Sequence, residues 1–169
     1  GPIYSGTKPE DQETAASGVR CGLNASRHWT ASNRFVDLFD AKADAISVLG
    51  EAGAPVASLQ TFNEGPNWFH PGRSGTLRLG PKTIVAAFGE IHPSVLTKLD
   101  IKGPIVGFEV FLNALPQAKT KASRNRAPLT VSDLPSVDRD FAFVLDAKVV
   151  AQDVVRAAIG ANKKLIADV

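Results

Sequence analysis

The stretch Thr83–Asp100, TIVAAFGEIHPSVLTKLD, decides how the first two-thirds of the chain folds. Its first nine residues are β-rich and almost wholly apolar, which predicts a buried strand. A histidine and a proline then interrupt the run. Pro93 suits an early helical position, where its missing N–H costs nothing, and Val95, Leu96 and Leu99 fall on one helical face. His92 stands where a cap for that helix belongs. Beyond it, Pro104–Leu112 (PIVGFEVFL) predicts another strand. Upstream, Phe35–Gly53 (FVDLFDAKADAISVLGEAG) places Leu38, Phe39, Ile46 and Leu49 at helical spacing and predicts a helix stopping at Gly50 or Gly53. In that helix Asp37, Asp40, Lys42 and Asp44 read as a solvated charged face. Trp29 and Trp68 are expected in the core or at an interface, with base stacking as the other use.

Between helix and strand lies NWFHPGRSGTLRLG, Asn67–Gly80, whose proline and glycines predict a loop. It collects His70, Arg73 and Ser74, residue types suited to nucleophilic catalysis or phosphate binding. No Gly-x-Ser-x-Gly elbow surrounds Ser74, and no orienting carboxylate is evident nearby, so a turn with side chains bonded to its backbone is the simpler expectation. Glu90 and His92 are two apart at a strand end and share a face. With a third ligand such as His70 they would suit a metal. No Gly-x-x-x-x-Gly-Lys-Ser/Thr phosphate loop occurs.

The C-terminal third has a different character. Pro116–Leu129, PQAKTKASRNRAPL, holds four basic residues, no acid and no apolar period, and is expected to be a basic linker over 116–130, either merely solvated or in contact with RNA. Arg139–Asp146 (RDFAFVLD) is apolar on both faces and predicts a central strand. Val149–Gly160 (VVAQDVVRAAIG) aligns Val150, Val154 and Ala158 on one face of a helix, with Gly160 as its stop. Lys163–Val169 (KKLIADV) begins a second strand. Such a β-α-β piece of 31 residues cannot cover its own sheet edges. Arg139, Arg156, Lys163 and Lys164 are the electrostatic candidates for contact with RNA.

Composition bounds the rest. The 169 residues carry 44% apolar and 21% charged side chains, the pattern of a globular chain. No apolar run of membrane-spanning length is present. Cys21 is the single cysteine, which excludes an internal disulfide and cysteine-rich zinc sites and fits a reducing cytoplasm. Net charge is +2, but residues 1–115 hold ten Lys/Arg against eleven Asp/Glu, and residues 116–169 nine against six. The basic excess therefore points to an anionic partner for the C-terminal part only. The absence of Met and an opening at Gly1-Pro2-Ile3-Tyr4 suggest a piece of a longer protein.

Five stretches occur in a telling order: GTKPEDQETAASGVRCG, FVDLFDAKAD, FHPGRSG, FGEIHPSVL and LPSVDRDFAFVLD. Together, over essentially the whole chain, they resemble the C-terminal region of the bacterial phenylalanyl-tRNA synthetase beta subunit family. The resemblance implies an α+β fold in two parts. Residues 1–115 would form a class II synthetase-like antiparallel sheet with flanking helices and no catalytic function. Residues 131–169 would form the first half of a ferredoxin-like (βαββαβ) anticodon-binding domain. The resemblance further implies an α2β2 assembly with an alpha subunit that uses ATP and Mg²⁺, with tRNA(Phe) as partner and no membrane. The family's metal-binding residues lie upstream of Gly1.

The catalytic alpha subunits of that family carry Phe-Thr-Glu-Pro-Ser, then His-Pro-x-Val-Leu, then a Gly-rich motif ending in an ATP-binding arginine. Against these motifs fall Phe69–Ser74, His92–Leu96 and Phe108–Leu115. The two glycine columns are occupied here by Glu109 and Phe111, and the arginine column by Ala114. The resemblance thus implies no catalytic, cofactor or metal residue in this chain. It leaves tRNA contact to Arg139, Arg156, Lys163 and Lys164. Two rival readings stand beside it: a free-standing RNA-binding or regulatory module derived from a synthetase, and a hydrolase or metalloenzyme built on His70, Glu90 and His92.

Overall fold

A computed structural model describes residues 1–30, 33–116, 128–129, 131 and 133–169. The chain divides into two compact units, Gly1–Lys119 and Thr120–Val169. Most of the 116–130 linker lies outside the described residues.

The first unit is α+β. Its strands are β1 (Pro2–Tyr4), β2 (Gln12–Cys21), β3 (Leu59–Phe62), β4 (Phe69–Leu79), β5 (Thr83–Ile91) and β6 (Ile105–Phe111). They form one six-stranded sheet in the order β1-β2-β6-β5-β4-β3, with every neighbouring pair antiparallel. The predicted strand over 83–91 is present with those bounds, and β6 fills the centre of the second predicted strand. Both are central strands, each with a hydrogen-bonded neighbour on either side.

Helix α1 spans Leu38–Glu51 and packs on β5 and β6. Its buried side is Ala41, Ala45 and Leu49, meeting Leu77, Val85, Ala86, Phe88, Val106 and Val110 of the sheet. Leu38 and Ile46 pack at the margin, whereas Phe39 is exposed, so the expectation for Phe39 fails. Small alanines in the contact stripe let the helix lie close to the sheet, and a count of large apolar residues does not see them. The acidic residues are not an idle solvated face. Asp37 Oδ1 accepts the Phe39 and Asp40 N–H groups, while Asp40 Oδ2 accepts the Asp37 N–H at 2.8 Å, forming a reciprocal N-terminal cap. Arg34 grips Asp40 through two hydrogen bonds and holds its carboxyl below the usual range, with the backbone bond from Asp37 adding to the effect. Asp44 takes Arg20 of β2 in the same two-pronged way. Lys42 lies 6.0 Å from the centre of the Phe88 ring, and burial lowers its pKa. At the other end Gly53, at φ 83°, bonds to Gly50 O, and Ala54 N–H bonds to Leu49 O. That Schellman closure ends the helix one turn-residue beyond Glu51.

The loop predicted over 67–80 is instead a strand, β4, paired with β5 and edged in part by β3. Its ladder breaks between Phe69 and Ser74, so Pro71 and Gly72 sit where no pairing partner asks for an N–H. Ser74–Leu77 are buried. Proline and glycine marked a bulge inside a strand, and the period of two resumed after it.

The second unit contains α3, Ala151–Ala161, as predicted, but it ends at Asn162 and passes through Gly160. The two strands expected around it are absent. Arg139–Asp146 and Lys163–Val169 make no ladder, and Phe141, Phe143 and Val144 are exposed. A strand apolar on both faces needs covering on both, and no described residue provides it. Among the described residues, no helix is long and apolar enough to cross a membrane.

Candidate functional site

The sheet of the first unit has two unlike faces. Paired residues of an antiparallel ladder point to the same side. Ala16, Val110, Ala86 and Leu77 form one row, facing α1. The neighbouring row, Ser17, Glu109, Ala87 and Thr76, faces the other way. This second face holds a cavity of about 280 Å³ lined by Glu64, Gly65, Pro66, Thr76, Arg78, Ile84, Ala87 and Phe111.

One wall of that cavity is locked by Arg78. Its Nη2 reaches Glu64 Oε2 at 2.8 Å, its Nε donates to Thr76 Oγ1 at 3.1 Å, and the guanidinium lies 4.2 Å from the centre of the Phe62 ring. These contacts bind the turn after β3 to β4. Ser74 lies on the same face beneath that turn, and its hydroxyl is buried without a hydrogen-bond partner. A Cβ on Gly65 would stand 2.5 Å from its Oγ, and one on Gly89 would stand 2.5 Å from its Cβ. Ser74 is therefore clamped between two glycines and cannot approach a substrate.

The residues singled out from sequence do not converge into a catalytic group. His70 Nδ1 accepts the Gly72 N–H at 3.1 Å, the backbone-bonded turn expected of it. His92 Nδ1 accepts the Ser94 N–H at 3.1 Å and caps α2, Pro93–Lys98. The two rings stack with centroids 6.3 Å apart. Each Nδ1 lone pair is thus already taken by a backbone N–H. A metal would need that lone pair. Glu90 is occupied as well: Arg73 donates Nε to Oε2 at 2.5 Å and Nη2 to Oε1 at 2.9 Å. That contact raises the Arg73 pKa, chiefly through the hydrogen bond to Glu90. Among the described residues, no group of three or more His, Cys, Asp or Glu could hold a metal ion. The hydrolase or metalloenzyme built on His70, Glu90 and His92 is thereby set aside.

Trp29 and Trp68 are exposed at 90% and 42%, so neither is a core residue. Arg139, Arg156, Lys163 and Lys164 are all exposed. Arg156 touches Asp153 one turn earlier at 3.1 Å, and Arg139 bonds to the Asp138 carbonyl. Residue-type reasoning missed Arg78, which looked like one basic residue in a loop. It placed Glu109 in a glycine column without showing which face of the sheet carries it. A lone carboxylate in the otherwise apolar run IVGFEVF was the signal, since period two puts it opposite Val106 and Val110.

Comparison with known proteins agrees with the sequence motifs. Residues 2–112 match the model of the phenylalanyl tRNA synthetase beta chain CLM domain. The chain is 53% identical over 169 residues to the phenylalanine–tRNA ligase beta subunit of Rhodospirillum rubrum, and 54% identical over the same length to that of Paramagnetospirillum magneticum. The corresponding subunit of Bradyrhizobium diazoefficiens is 49% identical over 173 aligned positions. Each alignment covers 100% of this chain and 21% of the relative, so the chain spans about a fifth of the length of the curated relatives it matches. On these matches, the chain belongs to the phenylalanyl-tRNA synthetase beta chain family.

Proposed function

We propose that residues 1–115 are a class II synthetase-like module without chemistry of its own, serving as a scaffold for an alpha subunit. Residues 131–169 would be the first half of a ferredoxin-like domain that touches tRNA(Phe). The whole would be a cytoplasmic α2β2 ligase that activates phenylalanine with ATP and Mg²⁺ on the alpha subunit and transfers it to tRNA. The family match over residues 2–112 supports the subunit over a free-standing RNA-binding module.

The observation that carries the scaffold reading is the charge of the face opposite α1. Where a triphosphate would need cations, Glu109 presents a carboxylate and Phe111 a bulky ring. Arg78 is committed to Glu64, Thr76 and Phe62. Ala114, in the column of the ATP-binding arginine, packs its methyl group against the core. Repulsion between Glu109 and phosphate oxygens acts against nucleotide binding at low local dielectric.

For tRNA the supporting feature is the exposure of Arg139, Arg156, Lys163 and Lys164, with the Arg156–Asp153 contact open to competition from phosphate. The test is the assembled enzyme carrying alanine at all four positions. The KM for tRNA is expected to rise and its salt dependence to flatten, while tRNA-independent ATP–pyrophosphate exchange stays at the parental rate. An unchanged KM and salt slope would end the tRNA role. Lost exchange in an intact assembly would end the scaffold role.

A further inference from the structure

Glu109 is a carboxylate in unsuitable company. It lies in the middle of β6, on the face turned away from α1, between Ser17 of β2 and Ala87 of β5. Two residues along β6 on that face are Gly107 and Phe111, and Gly89 stands opposite Gly107. None of these offers a charge. Among the described residues, no hydrogen bond or ion pair reaches Glu109, and burial pushes its carboxyl up from the ordinary range. An unpaired, partly buried charge destabilises the protein that carries it.

The surroundings have room for a partner. The direct cross-strand neighbours of the carboxylate are small, Ser17 and Ala87, while Val19 and Ile91 close in over Gly107 on one side and Phe111 stands on the other. The 280 Å³ cavity adjoins this position: Ala87, the cross-strand partner of Glu109, and Phe111 both line it. Its other apolar walls are Pro66 and Ile84. The polar groups at the far wall satisfy one another, because Arg78 holds both Thr76 and Glu64. Glu109 is outside the lining itself but stands next to two of its members, across the ladder from Ala87 and two residues from Phe111.

We propose that this face binds a small organic cation, an amidinium, guanidinium or primary ammonium on an apolar body, with Glu109 as the anchoring residue. The cation forms charge-assisted hydrogen bonds to the carboxylate, and its body packs on Phe111, Ile84 and Ala87. Such a ligand removes the unpaired charge and covers apolar surface in one step.

Benzamidine is the probe, because its planar amidinium can meet both carboxylate oxygens while its ring enters the cavity. Benzamide, of the same shape and uncharged, is the control. Calorimetric titration of the intact protein at neutral pH is expected to show benzamidine binding about tenfold or more tightly than benzamide. Glu109→Gln should bring benzamidine down to the benzamide level, and Phe111→Ala should weaken both. The Glu109→Gln protein should melt at or above the parental temperature, since it has lost an unpaired charge, so reduced binding cannot be laid to unfolding. Acid should weaken benzamidine alone, as the carboxylate takes up its proton. Equal affinity for the two probes, including no binding of either, would overturn the proposal. So would benzamidine binding that survives Glu109→Gln.

Discussion

Thr83–Ile91 and Arg139–Asp146 are similar stretches of sequence with different structures. Each is short, rich in β-formers and apolar on both faces. The first is β5, hydrogen-bonded to β4 and β6 and covered by α1, with Val85 and Ala86 fully buried. The second forms no ladder, and Phe141, Phe143 and Val144 are 76%, 65% and 104% exposed. The pattern in a sequence states what a segment can bury, and its neighbours decide whether it does. The described part of residues 1–115 supplies five further strands and two capped helices. Among its described residues the second unit supplies one helix.

That contrast can be broken by mutation, and the largest effect is expected in β5. Gly89→Ala would bring a methyl group within 2.8 Å of the Arg73 carbonyl and 2.5 Å of the Ser74 Cβ. Neither is the end of a flexible side chain, so the sheet must shift. A loss of more than about 3 kcal/mol in chemical denaturation is expected, or no folded first unit. Next comes Leu49→Ala, which empties the fully buried contact between α1 and the sheet, at about 2–5 kcal/mol by the same measurement.

Ser74→Ala should go the other way. It removes a buried hydroxyl that has no partner, so stability is expected to hold or rise by up to about 1 kcal/mol. A loss of more than that would show that the hydroxyl is bonded. The smallest effect belongs to the second region. Phe143→Ala should change stability by no more than about 0.5 kcal/mol, because the ring buries little. A cost like that of Leu49→Ala would mean that Arg139–Asp146 is packed after all, and the comparison with β5 would fail.

The legible parts of the chain were those in which local signals agreed with their surroundings. β5, β6, α1 and the cap at His92 each followed from period, proline and glycine placement. The strand at 69–79 was hidden because Pro71 and Gly72 signal a loop whether they end a strand or bulge it. The capping roles of Asp37 and Asp40 were present in the sequence as an Asp three residues before another Asp, but charge alone made them look idle. At the candidate site, sequence offered His70 with Ser74, and Glu90 with His92, as pairs without showing what each already holds. Only geometry reveals that Arg73 occupies Glu90, that backbone N–H groups occupy both histidines, and that two glycines enclose Ser74.

On the scaffold role proposed above, the sheet's residues hold a shape and perform no chemistry. Phenylalanine-dependent ATP–pyrophosphate exchange, measured on the assembled alpha–beta enzyme with His70→Ala or Ser74→Ala in this chain, tests it most directly. Exchange is expected within about twofold of the parental enzyme, far short of the hundredfold or larger loss typical of removing a catalytic base or oxyanion donor. A loss of that size, with the assembly intact by size-exclusion chromatography, would contradict it.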